Sequence, residues 1–127
     1  MKQEKLNKIL EEQNLWIKTE GVDGKRAYLQ DANLENANLG YADLRWAELF
    51  KANLENANLE NANLENANLR YANLEKANLN KADLKYADLK YANLEEAAFK
   101  ETKVCKKNYD YLVSRGVDKE TLILIEN

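Results

Sequence analysis

The chain of 127 residues contains no proline, no histidine, one cysteine and only four glycines. Each shortage removes a class of chemistry. Without histidine there is no Ser-His-Asp or Cys-His nucleophile and no imidazole ligand for zinc. Cys105 has no partner for an internal disulfide, so a reducing compartment, the cytoplasm, is the expected location. Lys103, Lys106 and Lys107 lie close to it in sequence, yet a passive thiol is the plainer reading. The glycines form no Gly-rich run, which leaves no phosphate-binding loop. The missing proline suits a chain whose backbone N–H groups are nearly all needed in a hydrogen-bonded ladder. Long apolar runs are lacking too. The first twenty residues carry charges throughout, which predicts neither a leader nor a membrane span, and no membrane partner. Asp23-Gly24 has the look of a calcium loop, but the other ligand positions are missing. This inventory predicts no enzyme, no cofactor and no metal.

What is present is a five-residue repeat. Fifteen pentads run from Ala27 to Glu101; alanine opens all fifteen, and leucine is third in fourteen, with Phe99 in the last. Asn or Asp is second in twelve, and Tyr28, Glu48 and Ala98 are the exceptions. A period of five fits neither a helix nor a flat strand. At about 100° per residue the leucines would spiral around a helix. In a strand, an odd repeat would send Leu34 and Leu39 to opposite faces. Within a pentad, however, Ala32 and Leu34 are two apart and share a face, and a bend between Leu34 and Ala37 restores the inward direction. The chain therefore turns once per pentad. Four turns of about 90° close a square coil, and successive coils stack at about 4.8 Å through backbone hydrogen bonds. Glu35, Glu55, Glu75 and Glu95 recur at an interval of twenty and favour this square over a triangular coil of fifteen, which the repeat leaves open. Alanine suits a crowded corner, and each inward leucine contributes roughly 1.5–3 kcal/mol on burial. Asn and Asp are expected to serve strained backbone beside them through local hydrogen bonds.

The Ala-(Asn/Asp)-Leu-X-X pattern resembles the pentapeptide-repeat family over residues 27–106, counting a degenerate last pentad, Thr102 to Lys106, with Val104 in the leucine place. A looser likeness to the family's lead-in covers Leu15 to Ala27. The resemblance implies an all-β repeat solenoid, a right-handed quadrilateral β-helix of about four coils. Three segments are expected: 1–26 as an N-terminal capping helix and lead-in, 27–106 as the β-helix, and 107–127 as a helical or strand C-terminal cap or a dimerisation segment. Each coil touches only its neighbours and an open end is a bare sheet edge, so caps are needed. Residues 2–17 carry Leu6, Ile9, Leu10 and Gln13 at helical spacing, followed by Leu15, Trp16 and Ile17. That helix reads as a cap, with a partner-binding helix as the alternative. Asn108 to Arg115 predicts a short helix with Asn108 as N-cap, Tyr109, Leu112 and Val113 inward, and Gly116 at its end. The run Leu122, Ile123, Leu124 and Ile125 reads as a buried strand or as a helix turn opened by Asp118. It either seals the last coil or is a dimer contact.

The net charge of −3 is mild but unevenly spread. Residues 27–69 hold seven acidic and two basic side chains, whereas 70–104 hold six acidic and seven basic. Two outward groups are candidate interaction surfaces. One is the ladder Glu35, Glu55, Glu75 and Glu95; like charges opposed across strands are unfavourable. The ladder is either functional or a product of duplication, because Ala-Asn-Leu-Glu-Asn occurs at 32–36, 52–56, 57–61 and 62–66. The other group is aromatic: Phe50, Tyr71 and Tyr91 on one face, with Trp46 and Tyr86 at the preceding corner. These rings form a protein contact patch or simply stack on one another. Some members of the resembled family mimic duplex DNA and bind type II topoisomerases. The resemblance therefore implies two roles: a structural or protein–protein interaction module, and, as the alternative, a DNA-mimic binder of DNA gyrase. Magnitude favours the module. Four coils span roughly 19 Å, over which duplex DNA carries about eleven charges, far more than this coil offers. No basic stripe supports direct nucleic-acid binding. The residues point to no particular protein partner beyond a second copy met through the C-terminal segment.

Overall fold

The computed structural model describes residues 1–125. Parallel bridges join second-position residues of pentads twenty apart, from Tyr28–Glu48 and Asn33–Asn53 through Asp83–Lys103. The coil therefore closes after four pentads, and the chain is a right-handed quadrilateral β-helix rather than a triangular one. All leucines from Leu29 to Leu89 are at most 1% exposed, and Phe99 and Val104 extend their columns.

The five backbone N–H groups of a pentad can each be accounted for, which explains the repeat. The second donates to the preceding coil, as Asn53 does to the Ala32 carbonyl at 2.9 Å. The third and fifth donate to the following coil, as Leu34 does to Asn53 at 2.7 Å and Asn36 to Glu55 at 2.9 Å. The next alanine closes the corner, as Ala37 does on Leu34 at 3.0 Å. Only the fourth N–H is left over. The Asn or Asp side chain two residues earlier takes it: Asn63 Oδ1 accepts from Glu65 at 3.0 Å and Asp83 Oδ1 from Lys85 at 2.9 Å.

The local bonding expected of Asn and Asp is therefore present, but the strain lies elsewhere. The second residue is extended, whereas the fifth residue of every pentad, Asp31 to Glu101, has φ between 57° and 65°. That is the third residue of a type II turn, where glycine is usual. The left-handed region costs an ordinary L-residue about 1–2 kcal/mol. Tyr, Trp, Lys and Glu occupy most of these corners, and none is β-branched, the class this region excludes most strongly.

Helix α1, Gln3–Lys18, covers the N-terminal end, with Leu6 and Gln13 buried against the first coil. At the other end come strand β1 (Thr102–Val104), helix α2 (Lys106–Ser114), a 3-10 turn (Lys119–Thr121) and strand β2 (Leu122–Leu124). Strand β2 runs parallel to β1 with Thr102, Lys103 and Val104 paired to Leu122, Ile123 and Leu124. The offset is again twenty, so β2 is a further rung on one face. The run is a strand, and the C-terminal end carries both a helix and a strand.

Helix α2 departs from expectation in two places. It starts earlier, with Cys105 as N-cap, and its buried residues are Asn108 and Leu112. Asn108 is no cap: its Nδ2 donates to the Leu84 and Ala87 carbonyls at 3.0 and 2.9 Å, the second of which is the kind of group a further coil would bond. Val113 is exposed, because one turn of contact leaves room for only one stripe. Gly116 follows the C-cap Arg115 with φ +92°, the conformation expected of a helix-ending glycine.

Candidate interaction surfaces

At the N-terminal end, side chains replace the missing coil. Gln3 Nε2 donates to the Asn38 carbonyl and its Oε1 accepts from the Asn38 N–H, both at 2.9 Å, as a neighbouring strand would. Gln13 Nε2 donates to the Arg45 carbonyl and its Oε1 accepts from the Ala27 N–H, both at 2.7 Å. The Met1 amino group donates to the Asn33 carbonyl at 2.7 Å. These groups cover part of the sheet edge. Sequence reasoning placed Gln13 on the buried stripe without a role and missed Gln3. A polar residue among inward leucines was the available signal.

The C-terminal end is less completely covered. The Tyr91 N–H donates to the Tyr111 hydroxyl at 3.2 Å, and the Glu101 N–H to the Thr121 carbonyl at 2.7 Å. Between these contacts lies a hollow of about 670 Å³, bounded by Leu94, Ala97, Phe99 and Val117. In β2, Leu122 is buried, while Ile123 and Leu124 are 40% and 43% exposed. Leu124 lies in register with Val104, so it stands at the open end of a leucine column. Ile125 is half-buried and its N–H donates to the Val104 carbonyl at 2.8 Å.

On the sides, the twenty-residue period stacks Glu35, Glu55, Glu75 and Glu95 into one column. The equivalent columns on the other faces mix their chemistry: Gln30, Phe50, Arg70 and Lys90; Gly40, Glu60, Asn80 and Lys100; Arg45, Glu65 and Lys85. In the last, Lys85 meets Glu65 at 3.5 Å. Arg45 forks onto Asp43 at 2.9 and 2.7 Å, a hydrogen bond that holds its pKa above the ordinary value against the opposing effect of burial. Tyr71 and Tyr91 stack at 4.9 Å, and Phe50 meets Tyr71 edge-on at 5.7 Å. Trp46 is half-exposed and separated from Tyr86 by Asn66 in the same corner column, so it stands outside this stack. Cys105 is buried.

The pentapeptide-repeat family model matches residues 27–66 and 62–100. The chain belongs to the pentapeptide repeat family. A pentapeptide repeat protein from Nostoc PCC 7120 is 30% identical over 87% of this chain and 92% of its own, with a TM-score of 0.49. One from the Arabidopsis thaliana thylakoid lumen is 22% identical, over 69% of this chain and 72% of its own, at TM-score 0.45. Another, from the cyanobacterium Cyanothece 51142, is 40% identical over 61% of this chain and 57% of its own, at TM-score 0.34. No curated protein matches the chain. Among the described residues of this pentapeptide repeat protein, no helix is long and apolar enough to cross a membrane.

Proposed function

We propose that this pentapeptide repeat protein is a non-enzymatic binding module whose first partner is a second copy of itself, met end to end through β2. The contrast between its ends carries the reading. Helix α1 lies over the N-terminal end and its side-chain amides bond part of that edge, whereas β2 presents Ile123 and the open column at Leu124. An uncovered apolar edge strand is a template for pairing, and a two-fold axis there would set the two β2 edges antiparallel. Light scattering on the full chain tests this. The intact protein is expected to be a dimer and Ile123→Lys a folded monomer, because a lysine on an edge blocks pairing. A monomer at every concentration in the intact protein would remove the dimer.

The glutamate column favours a second reading. It alone among the fourth-position columns keeps one charge, so duplication does not account for it by itself, and an acidic face suits a basic groove such as one that holds DNA. That supports a DNA-mimic binder of DNA gyrase. The modest charge and the lysines of the later coils weigh against it. A supercoiling assay decides: potent, salt-sensitive inhibition would reverse the order of the two readings.

A further inference from the structure

The groove between α1 and the segment leading into the first coil differs in chemistry from the C-terminal hollow. It encloses about 540 Å³, the size of a small-molecule site. Four cations, Lys5, Lys8, Lys25 and Arg26, stand around it against one carboxylate, Glu12. The C-terminal hollow has the opposite balance, with Glu95, Glu96 and Asp118 against Arg115. Two aromatic residues, the half-buried Trp16 and the exposed Tyr28, line it with these cations, and Ile9 lies beside them.

The walls are held in place. Positions 5, 8, 12 and 16 are three or four apart and share one face of α1. The facing wall is tied to that helix: the Gly21 N–H donates to the Trp16 carbonyl at 2.8 Å and the Lys25 N–H to the Glu12 carbonyl at 3.1 Å. Gly24, with φ +75°, packs so close that a Cβ there would lie 2.7 Å from the Trp16 nitrogen. Arg26 is committed to structure. Its guanidinium bonds the Trp46 carbonyl, pairs with Glu48 at 3.2 Å and lies 5.4 Å from the centre of the Tyr28 ring. Lys5, Lys8 and Lys25 form no ion pair among the described residues. Three lysines without an ion pair and two aromatic residues thus line the groove, and one of the rings is braced by an arginine.

We propose that this groove binds a small phosphorylated ligand with a planar ring, of the nucleoside phosphate class. The ring lies against Trp16 and Tyr28, since aromatic faces accept any planar base. The phosphates lie among Lys5, Lys8 and Lys25, where ammonium groups act as point charges. A bare anion leaves the rings in water, and an uncharged ring leaves the lysines repelling one another. Only a ligand with both parts meets both needs.

Trp46 is the other tryptophan, so a Trp46→Phe protein reports on Trp16 alone. Its fluorescence is titrated with ATP, adenosine and inorganic triphosphate. ATP is expected to quench saturably below millimolar concentration and to bind at least about tenfold tighter than either fragment. Lys8→Gln combined with Lys25→Gln is expected to weaken ATP by about tenfold or more, as is raising the salt beyond the range where charges are felt. Amide NMR shifts at Gly21 and Gly24 in the unsubstituted protein give a second readout that needs no replacement. No saturable change in either measurement overturns the proposal. So does triphosphate binding as tightly as ATP, or unchanged ATP affinity in the lysine variant.

Discussion

Replacing Gln13 by leucine tests whether the N-terminal helix is a cap built by hydrogen bonding or merely an apolar lid. Gln13 is fully buried and serves two backbone groups, the Ala27 N–H and the Arg45 carbonyl. Leucine keeps most of the volume and removes both bonds. A buried group left unsatisfied costs about 1–3 kcal/mol. The Ala27 N–H is buried and bears that cost in full, while the Arg45 carbonyl lies nearer water and bears less. The expected loss is about 2–4 kcal/mol, a large part of an ordinary domain's 5–15 kcal/mol. Because coils depend on their neighbours, the damage should begin at the first coil. Urea unfolding followed by circular dichroism measures the total, and amide exchange locates it. The N–H groups of Leu29 and Leu34 should exchange faster, those of Leu69 and Leu74 much less so. Asn14→Leu, one residue along on the exposed side, should stay within about 0.5 kcal/mol of the parent. A Gln13→Leu protein as stable as the parent would refute the hydrogen-bonded cap.

Leu64→Ala, in mid-stack and fully buried, should cost about 2–5 kcal/mol, while Glu65→Ala, losing one half-exposed pair to Lys85, should cost no more than about 1 kcal/mol. Equal denaturation midpoints for the two would contradict the inward leucine column. Glu75→Gln relieves repulsion from Glu55 and Glu95, worth about 1 kcal/mol per neighbour at the coil spacing in a water-like dielectric, so it should stabilise at low salt and lose that advantage near 1 M salt. A salt-independent effect would remove repulsion as its cause. At the corner residue Lys81, with φ 61°, Lys81→Val should destabilise by about 1–2 kcal/mol and Lys81→Asn should be neutral or better. Thermal melts that coincide for the two variants would show that the corner imposes no such restriction.

Much of the β-helix was legible because its signal repeats. Ala at the first place and Leu at the third share a face at every pentad, and the interval of twenty in Glu35, Glu55, Glu75 and Glu95 pointed to the square coil that the bridges form. The corner chemistry was half legible. Asn and Asp do bond locally, but the left-handed residue is the variable fifth one, whose identity carries no pattern because it faces water and need only avoid a β-branched side chain. The ends were the least legible. Asn108 was read as a helix cap from its residue type, a local preference, whereas its two bonds reach back to Leu84 and Ala87. The groove at Lys5, Lys8 and Lys25 was not read at all, since charges scattered over two segments signal nothing until those segments meet.

The sequence by itself determined the period, the inward residues and hence the solenoid, because a strict repeat puts the same short-range steric and hydrophobic demand on every pentad. Within these residues it also excluded histidine chemistry and an internal disulfide by simple absence. Only the tertiary structure decided what happens where the repeat stops. Strand β2 returns to the register of β1, Gln3 and Gln13 stand in for a coil that is not there, and Ile123 and Leu124 are left at an open edge. Inside the stack each backbone N–H finds its partner at a fixed separation in sequence, either one coil away or within its own corner. At the ends the partner must come from residues whose separation follows no rule, and which of them arrives is settled by packing alone.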